Sequence, residues 1–259
     1  MHTEPTECLG LIMRVGRIPY LPYEPFYFDM ARRGIELCDM VPSDIVAAAD
    51  QRAIDAGPVP LVDCDRLADR FQPVAGFCVA CVTQAGSMFL YSTKPIEALH
   101  GAHIGITDEA VTAPRLLHLL LRLKYQVQPA AYVPLHAPHD AFLLIGNQGL
   151  RQRRGVPGFP HTYDLGAEWH TWTGLPLVLS RWMVRKDVDP KAIALLEDTL
   201  YVGLEEGVNA LYRVSDPRED LLMLPREIAT YVQGLRYHIG LSEQRAIDQF
   251  RHYLQQCNC

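Results

Sequence analysis

Four short stretches of this chain set hydroxyl, amide or phenol groups where a turn meets a strand or a helix. Gln84-Ala85-Gly86-Ser87 lies between FCVACVT (77–83) and the apolar run that Ser87 begins. Thr112 and Ala113 open a leucine-rich run, APRLLHLLLRLK, and Asn147 and Gln148 follow AFLLIG (141–146). Tyr20 and Tyr23 belong to RIPYLPYEPFYF (17–28), a stiff aromatic stretch placed just after the first apolar run. Hydroxyl and phenol groups donate hydrogen bonds. The start of a helix adds free N–H groups and a partial positive charge. Together they suit a small mono- or dicarboxylate, held by Ser87, Thr112 and the N–H groups that begin at Ala113, with Gly86 shaping the turn. Each residue also has a plainer reading. Thr112 is a good helix cap, Ser87 a turn residue, Asn147 and Gln148 surface polars, and the tyrosines core.

Other chemistries find less support. No HExxH occurs, and of the pairs His100/His103 and His136/His139 the second is interrupted by Pro138. No metal site and no cofactor are expected. Cys78 and Cys81 are spaced CxxC inside a strand, where residues three apart face opposite sides, so they read as buried thiols. Seven cysteines without regular spacing argue against a disulfide framework. Cys257 and Cys259 fall in what reads as a frayed tail. The net charge of −6 gives no basic surface for nucleic acid or anionic membrane. No apolar run approaches the ~20 residues of a membrane span. The opening MHTEPTECLG lacks the features of a signal peptide, so a cytoplasmic protein is expected. The oligomeric state is left open.

The elements that must position these groups follow from periodicity and turn chemistry. Strands are expected at 11–18, 55–63, 77–83, 87–92, 103–107, 130–135, 141–146 and 174–185. Helices are expected at 43–54 with Ser43 as cap, from Thr112 through the leucine-rich run, from Asp189-Pro190 to about Val214, and at 226–239 and 243–256 with Ser242 as cap. The glycines, prolines and arginines of RQRRGVPGFPHTYDLG read as one long loop. Strand–helix alternation predicts α/β layers with largely parallel sheets. Residues 93–178 read as a second lobe inserted into a first lobe made of 1–92 and 179–259. Ligands in such sheets sit beyond the carboxyl ends of strands, here in the cleft between lobes.

VGRIPYLPYEPFY, VPSDI, DAGPVPLVD, GSMFLYSTKPIEALHGAHIGIT, FLLIGNQGL and above all YDLGAEWHTWTGLPLVLSRW resemble the menaquinone-biosynthesis family of the futalosine pathway. The resemblance runs from about Leu11 to Leu254. It implies a two-lobed α/β fold of the type II periplasmic-binding-protein kind, with a hinge and an interlobe cleft. The turn Pro19-Tyr20-Leu21-Pro22-Tyr23-Glu24-Pro25 is similar to the S/T-Y-L-N-x-x-P of the chorismate dehydratase branch. It does not resemble the S-P-C-P-N-D-T of the dihydroxynaphthoate-forming branch. The implied activity is a carbon–oxygen lyase reaction, chorismate to 3-enolpyruvylbenzoate, driven by aromatisation and needing no cofactor. Ser87 matches the family's catalytic serine. Three positions depart from the family pattern. Pro22 stands where the family has Asn, Asn147 follows Gly146 where it has Asp, and Ala110-Val111-Thr112-Ala113 replaces S-x-T-S. With the Asn gone, Asn147, Gln148 and Tyr23 are the candidate replacement donors. The alternative is a non-catalytic protein of the same fold that binds a small carboxylate.

Overall fold

The computed structural model describes residues 13–212 and 218–257. In chain order the strands are β1 (Arg14–Arg17), β2 (Glu36–Asp39), β3 (Ala56–Pro60), β4 (Phe71–Cys81), β5 (Phe89–Ser92), β6 (His103–Ile106), β7 (Ala131–Pro134), β8 (Ala141–Leu144), β9 (His161–Asp164), β10 (Leu177–Arg185) and β11 (Leu235–His238). The helices are α1 (Pro42–Asp50), α2 (Cys64–Leu67), α3 (Thr112–Leu119), α4 (Gly146–Gln152), α5 (Leu165–Thr173), α6 (Pro190–Tyr212), α7 (Pro225–Gln233) and α8 (Leu241–Cys257). Two sheets form two lobes. The first has the order β11-β4-β10-β3-β1-β2 and the second β7-β6-β8-β5-β9.

The sheets are mixed rather than largely parallel. β1 pairs in parallel with β2 and β3, and β6 with β7 and β8. Every antiparallel pairing involves β5, β10 or β11. β5 and β10 are the first strands laid down after the chain crosses between sheets. Neither is reached by a helical crossover within its own sheet, so nothing imposes the parallel direction. This also moves the crossings. β5, expected at the end of the first lobe (1–92), pairs with β8 and β9 in the second sheet. β10 joins the first sheet from Leu177, two residues ahead of the expected restart at 179.

Several elements differ from the sequence expectation. β2, β9, β11, α2, α4 and α5 were not expected. β9 lies in the stretch read as loop, α5 begins at its last two residues and runs on to Thr173, and β11 lies inside the expected helix 226–239. Pro42, with no N–H to lose, takes the first position of α1, so Val41 is its cap residue and Ser43 is not. Ser242 lies inside α8. The Gly240 N–H is instead satisfied by Glu243 Oε2 at 2.9 Å, and the Ser242 hydroxyl donates to the same oxygen. Asp189 does meet the expectation, accepting from the Lys191 N–H at 2.8 Å. Cys257, expected in a frayed tail, is buried at the end of α8. Cys78 and Cys81 are buried in β4, and burial pushes both thiols up to about 12. The expectations for MHTEPTECLG, Leu11, Ile12, Val214 and Cys259 lie outside the described residues.

The aromatic stretch is a buried plug. Leu21–Tyr27 winds as a 3₁₀ helix in which all but Glu24 are buried. Phe26 makes edge contacts with Trp182, Tyr237 and Phe77 at ring separations of 5.2, 5.3 and 6.1 Å. α6 crosses this turn closely. A Cβ at Gly207 would fall 2.6 Å from the Pro25 carbonyl oxygen, and one at Gly203 2.8 Å from it. The carboxylate of Glu24 takes both terminal nitrogens of Arg218, at 2.9 and 3.0 Å. The plug fills the first lobe's core and presents its leading edge, Tyr20 to Tyr23, to the second lobe.

Candidate functional site

A cavity of about 510 Å³, counting its mouth, lies between the lobes. The first lobe contributes Tyr20, Tyr23, Pro42, Pro60 and Leu179. The second contributes Ser87, Met88, Val111, Thr112, Ala113, Ile145 and Gly146. Five of the seven expected site residues therefore meet there: Ser87, Thr112, Ala113, Tyr20 and Tyr23. Gly86 and Asn147 do not line it.

Gly86 faces a neighbouring groove, and its role is in the backbone. It adopts φ +65°, the left-handed region. Its N–H donates to Asp164 Oδ2 at 2.6 Å, and that of Ala85 to Asp164 Oδ1 at 2.8 Å. Asp164 also caps α5 by accepting from the Ala167 N–H at 3.0 Å. One carboxylate thus ties the Ser87 turn to the start of a helix. Ser87 is buried. Its Oγ accepts from the Tyr231 hydroxyl at 3.1 Å and reaches the Ala85 carbonyl at 3.4 Å.

Asn147 is a bridge between lobes rather than a donor into the cavity. Its Oδ1 accepts from the Leu21 N–H at 3.2 Å and its Nδ2 donates to the Pro19 carbonyl at 3.1 Å. Nearby, the Tyr20 hydroxyl donates to Glu109 Oε2 at 2.6 Å. The Thr112 hydroxyl crosses to the Leu179 carbonyl at 3.2 Å. Thr112 does not cap α3. It is the first helical residue, Val111 holds the cap position, and no side chain caps the helix. The N–H groups of Thr112 and Ala113 therefore have no partner within the helix and stand at the cavity wall.

Tyr23 is buried, with its hydroxyl 3.1 Å from Ser180 Oγ. Burial pushes its phenol up to about 12. Tyr20 is also raised, first by burial and then by its bond to Glu109. Both stay protonated near neutral pH and act as donors. No Asp, Glu, His, Lys or Arg is among the described residues lining this cavity. With the Tyr20 proton given to Glu109 and the Thr112 proton to Leu179, the site can offer the Ser87 hydroxyl, the Tyr23 phenol and helix N–H groups to an anionic oxygen, and apolar walls to a ring.

The sequence profile of a family described as menaquinone biosynthesis matches residues 13–256. The chain belongs to the menaquinone-biosynthesis family. A curated relative, the 1,4-dihydroxy-6-naphthoate synthase of Thermus thermophilus, is 25% identical over 170 residues, 59% of each chain. The match thus spans about three fifths of that relative's length. A solved protein of Archaeoglobus fulgidus superposes with a TM-score of 0.69 at 16% identity, over 95% of this chain and 97% of that one. The periplasmic aliphatic sulphonate-binding protein of Escherichia coli gives 0.59 at 12% identity, over 95% and 92%. These likenesses establish the two-lobed periplasmic-binding-protein fold. Among the described residues of this family member, no helix is long and apolar enough to cross a membrane.

Sequence reasoning missed Tyr231, Asp164, Glu109 and Ser180. Asp164 carried a signal, since an Asp followed by LGAEWHTW is a helix start. Tyr231 carried none, because it sits in a helix 144 residues beyond its partner Ser87.

Proposed function

We propose that this chain is a chorismate dehydratase-like lyase of menaquinone biosynthesis, acting in the cytoplasm and forming 3-enolpyruvylbenzoate. The observation that carries the reading is the interlobe cavity itself. In a member of this family, it brings Ser87 and the free first-turn N–H groups of α3 to one apolar space. The aromatic turn, reading PYLPYEP, further supports the dehydratase branch. A carboxylate would lie at Ala113 and the α3 start, and the ring between Tyr20, Met88 and Ile145. Loss of water then needs a proton taken from ring carbon and a hydroxyl leaving with the C–O bonding pair. The lining tyrosines are held protonated by burial, and the other lining groups are weak bases. The proton acceptor in this reading is therefore a carboxylate of the substrate. Donor hydrogen bonds fixed in advance around the leaving oxygen supply the stabilisation.

A second reading is a carboxylate-binding protein without turnover. Pro22 supplies no amide, and the amide of Asn147 is already engaged by Pro19 and Leu21. The test is turnover of chorismate followed by the appearance of 3-enolpyruvylbenzoate, beside calorimetry with chorismate. Turnover supports the lyase. Binding without turnover supports the second reading. Neither, together with turnover of the other branch's cyclic futalosine substrate, moves the chain to that branch.

A further inference from the structure

Tyr231 of α7 touches the Ser87 turn at two points. Its hydroxyl donates to Ser87 Oγ at 3.1 Å. Its ring lies against Gly86, where a Cβ would fall 3.0 Å from Cδ2 and 3.2 Å from Cε2. Asp164 fixes the same turn by accepting from the Ala85 and Gly86 N–H groups. The turn is therefore held by a carboxylate on its backbone and by a phenol on its reactive side chain.

A serine hydroxyl has one proton to donate and two lone pairs to accept with. Here the oxygen accepts from Tyr231, which leaves Ser87's own proton to place. Its one other partner is the Ala85 carbonyl at 3.4 Å, long for an O–H···O bond. Among the described residues no His, Asp or Glu side chain bonds to Ser87, so no base is set to draw that proton off. A serine arranged this way is a poor nucleophile and a good donor, and a donor that already accepts one bond is polarised by it.

We propose that Tyr231 is a positioning residue that turns the Ser87 hydroxyl outward as a donor to an oxygen of the ligand. The site then selects ligands with an anionic or leaving oxygen at that point and forms no acyl or ether bond to Ser87. This rests on the reading of the interlobe cavity as the ligand site.

The test compares the parent with Tyr231→Phe, Ser87→Ala and the double variant. Phe keeps the ring on Gly86 and removes only the hydroxyl. With chorismate as probe, Tyr231→Phe is expected to lower kcat by about tenfold, the size of one hydrogen bond, with KM within about twofold. It should change nothing further in the Ser87→Ala background. An unchanged kcat, or an equal fall in both backgrounds, overturns the proposal. If the parent does not turn chorismate over, the lyase reading has failed by itself. The same four proteins are then compared by their urea midpoints. Losses that fail to add support the Tyr231–Ser87 coupling, and losses that add overturn it.

Discussion

Asn147 and Leu21 lie 126 residues apart and are joined across the cleft, the Asn147 Oδ1 accepting the Leu21 N–H at 3.2 Å. The same amide donates to Pro19, so one side chain fastens α4 to the aromatic turn at two backbone points. Each such bond is worth about 1 kcal/mol net. Asn147→Ala is expected to lower unfolding free energy by about 1–2 kcal/mol and to let the lobes part. Urea denaturation reads the first effect and small-angle scattering the second. An unchanged radius of gyration would show that other contacts keep the lobes together.

Gly146 and Tyr20 form the neighbouring contact. Gly146 has φ +54°, and a Cβ there would fall 2.6 Å from two carbons of the Tyr20 ring. Gly146→Ala must therefore accept a left-handed backbone and displace the ring that bonds Glu109. The expected cost is about 1–3 kcal/mol, with weakened ligand binding because Tyr20 is a cavity wall. Ala tolerated with parental stability and affinity would contradict this geometry.

The two contacts mark the limit of what could be read from the chain. Ser87, Thr112, Ala113, Tyr20 and Tyr23 were legible because each sits at a turn or helix start whose chemistry is local. So were the lobes and the family, through segments such as YDLGAEWHTWTGLP. Asn147 was visible as a polar residue after a strand, but its partners are backbone groups of the other lobe, and no local pattern encodes them. Tyr231 is one polar residue on an amphipathic helix until the fold brings it to Ser87. β11 is four residues long and separated from α7 by Gly234 alone, so periodicity could not separate it from the helix. β9 was hidden behind turn-forming residues 155–160, although His161–Asp164 carries the β-favouring Thr162 and Tyr163.

Glu227 gives a pH dependence with a definite sign. Its carboxylate accepts from the Leu224 N–H at 2.8 Å and from Arg153 and Arg154. The backbone bond, then Arg153, hold it well below its ordinary 4.5, at about 2. The folded value lies below the unfolded one. Its contribution is therefore complete above about pH 4.5 and is lost as pH falls through about 2. The stability gap between parent and Glu227→Gln should be constant from pH 7 to 5 and close progressively below 4.5. Urea midpoints at a series of pH values measure it. A gap that persists unchanged at pH 3 would mean the ionised carboxylate is not what stabilises α7.

Pro22 and Tyr23 decide which donor serves the cavity from the aromatic turn. Tyr20, the cap residue of the 3₁₀ helix, and Tyr23 within it both line the cavity. Pro22 is buried and does not line it. Asn147 is occupied by Pro19 and Leu21, which leaves Tyr23 as the remaining lining donor of the three candidates. Ser180 can donate to the Tyr23 oxygen over their 3.1 Å separation and so free the phenol's proton for a ligand. Tyr23→Phe is then expected to lower chorismate turnover by about tenfold or more, since one well-placed donor can be worth a hundredfold. Pro22→Asn is expected to leave turnover within about threefold, because its side chain starts from a buried position off the cavity wall. The measurements are kcat and KM for both variants beside the parent, with circular dichroism to confirm folding. A large gain from Pro22→Asn would reverse the assignment. It would mean that the turn can swing an amide into the cavity and that this chain works with a donor missing. No loss from Tyr23→Phe would remove Tyr23 from the site and leave its bond to Ser180 as packing within the first lobe.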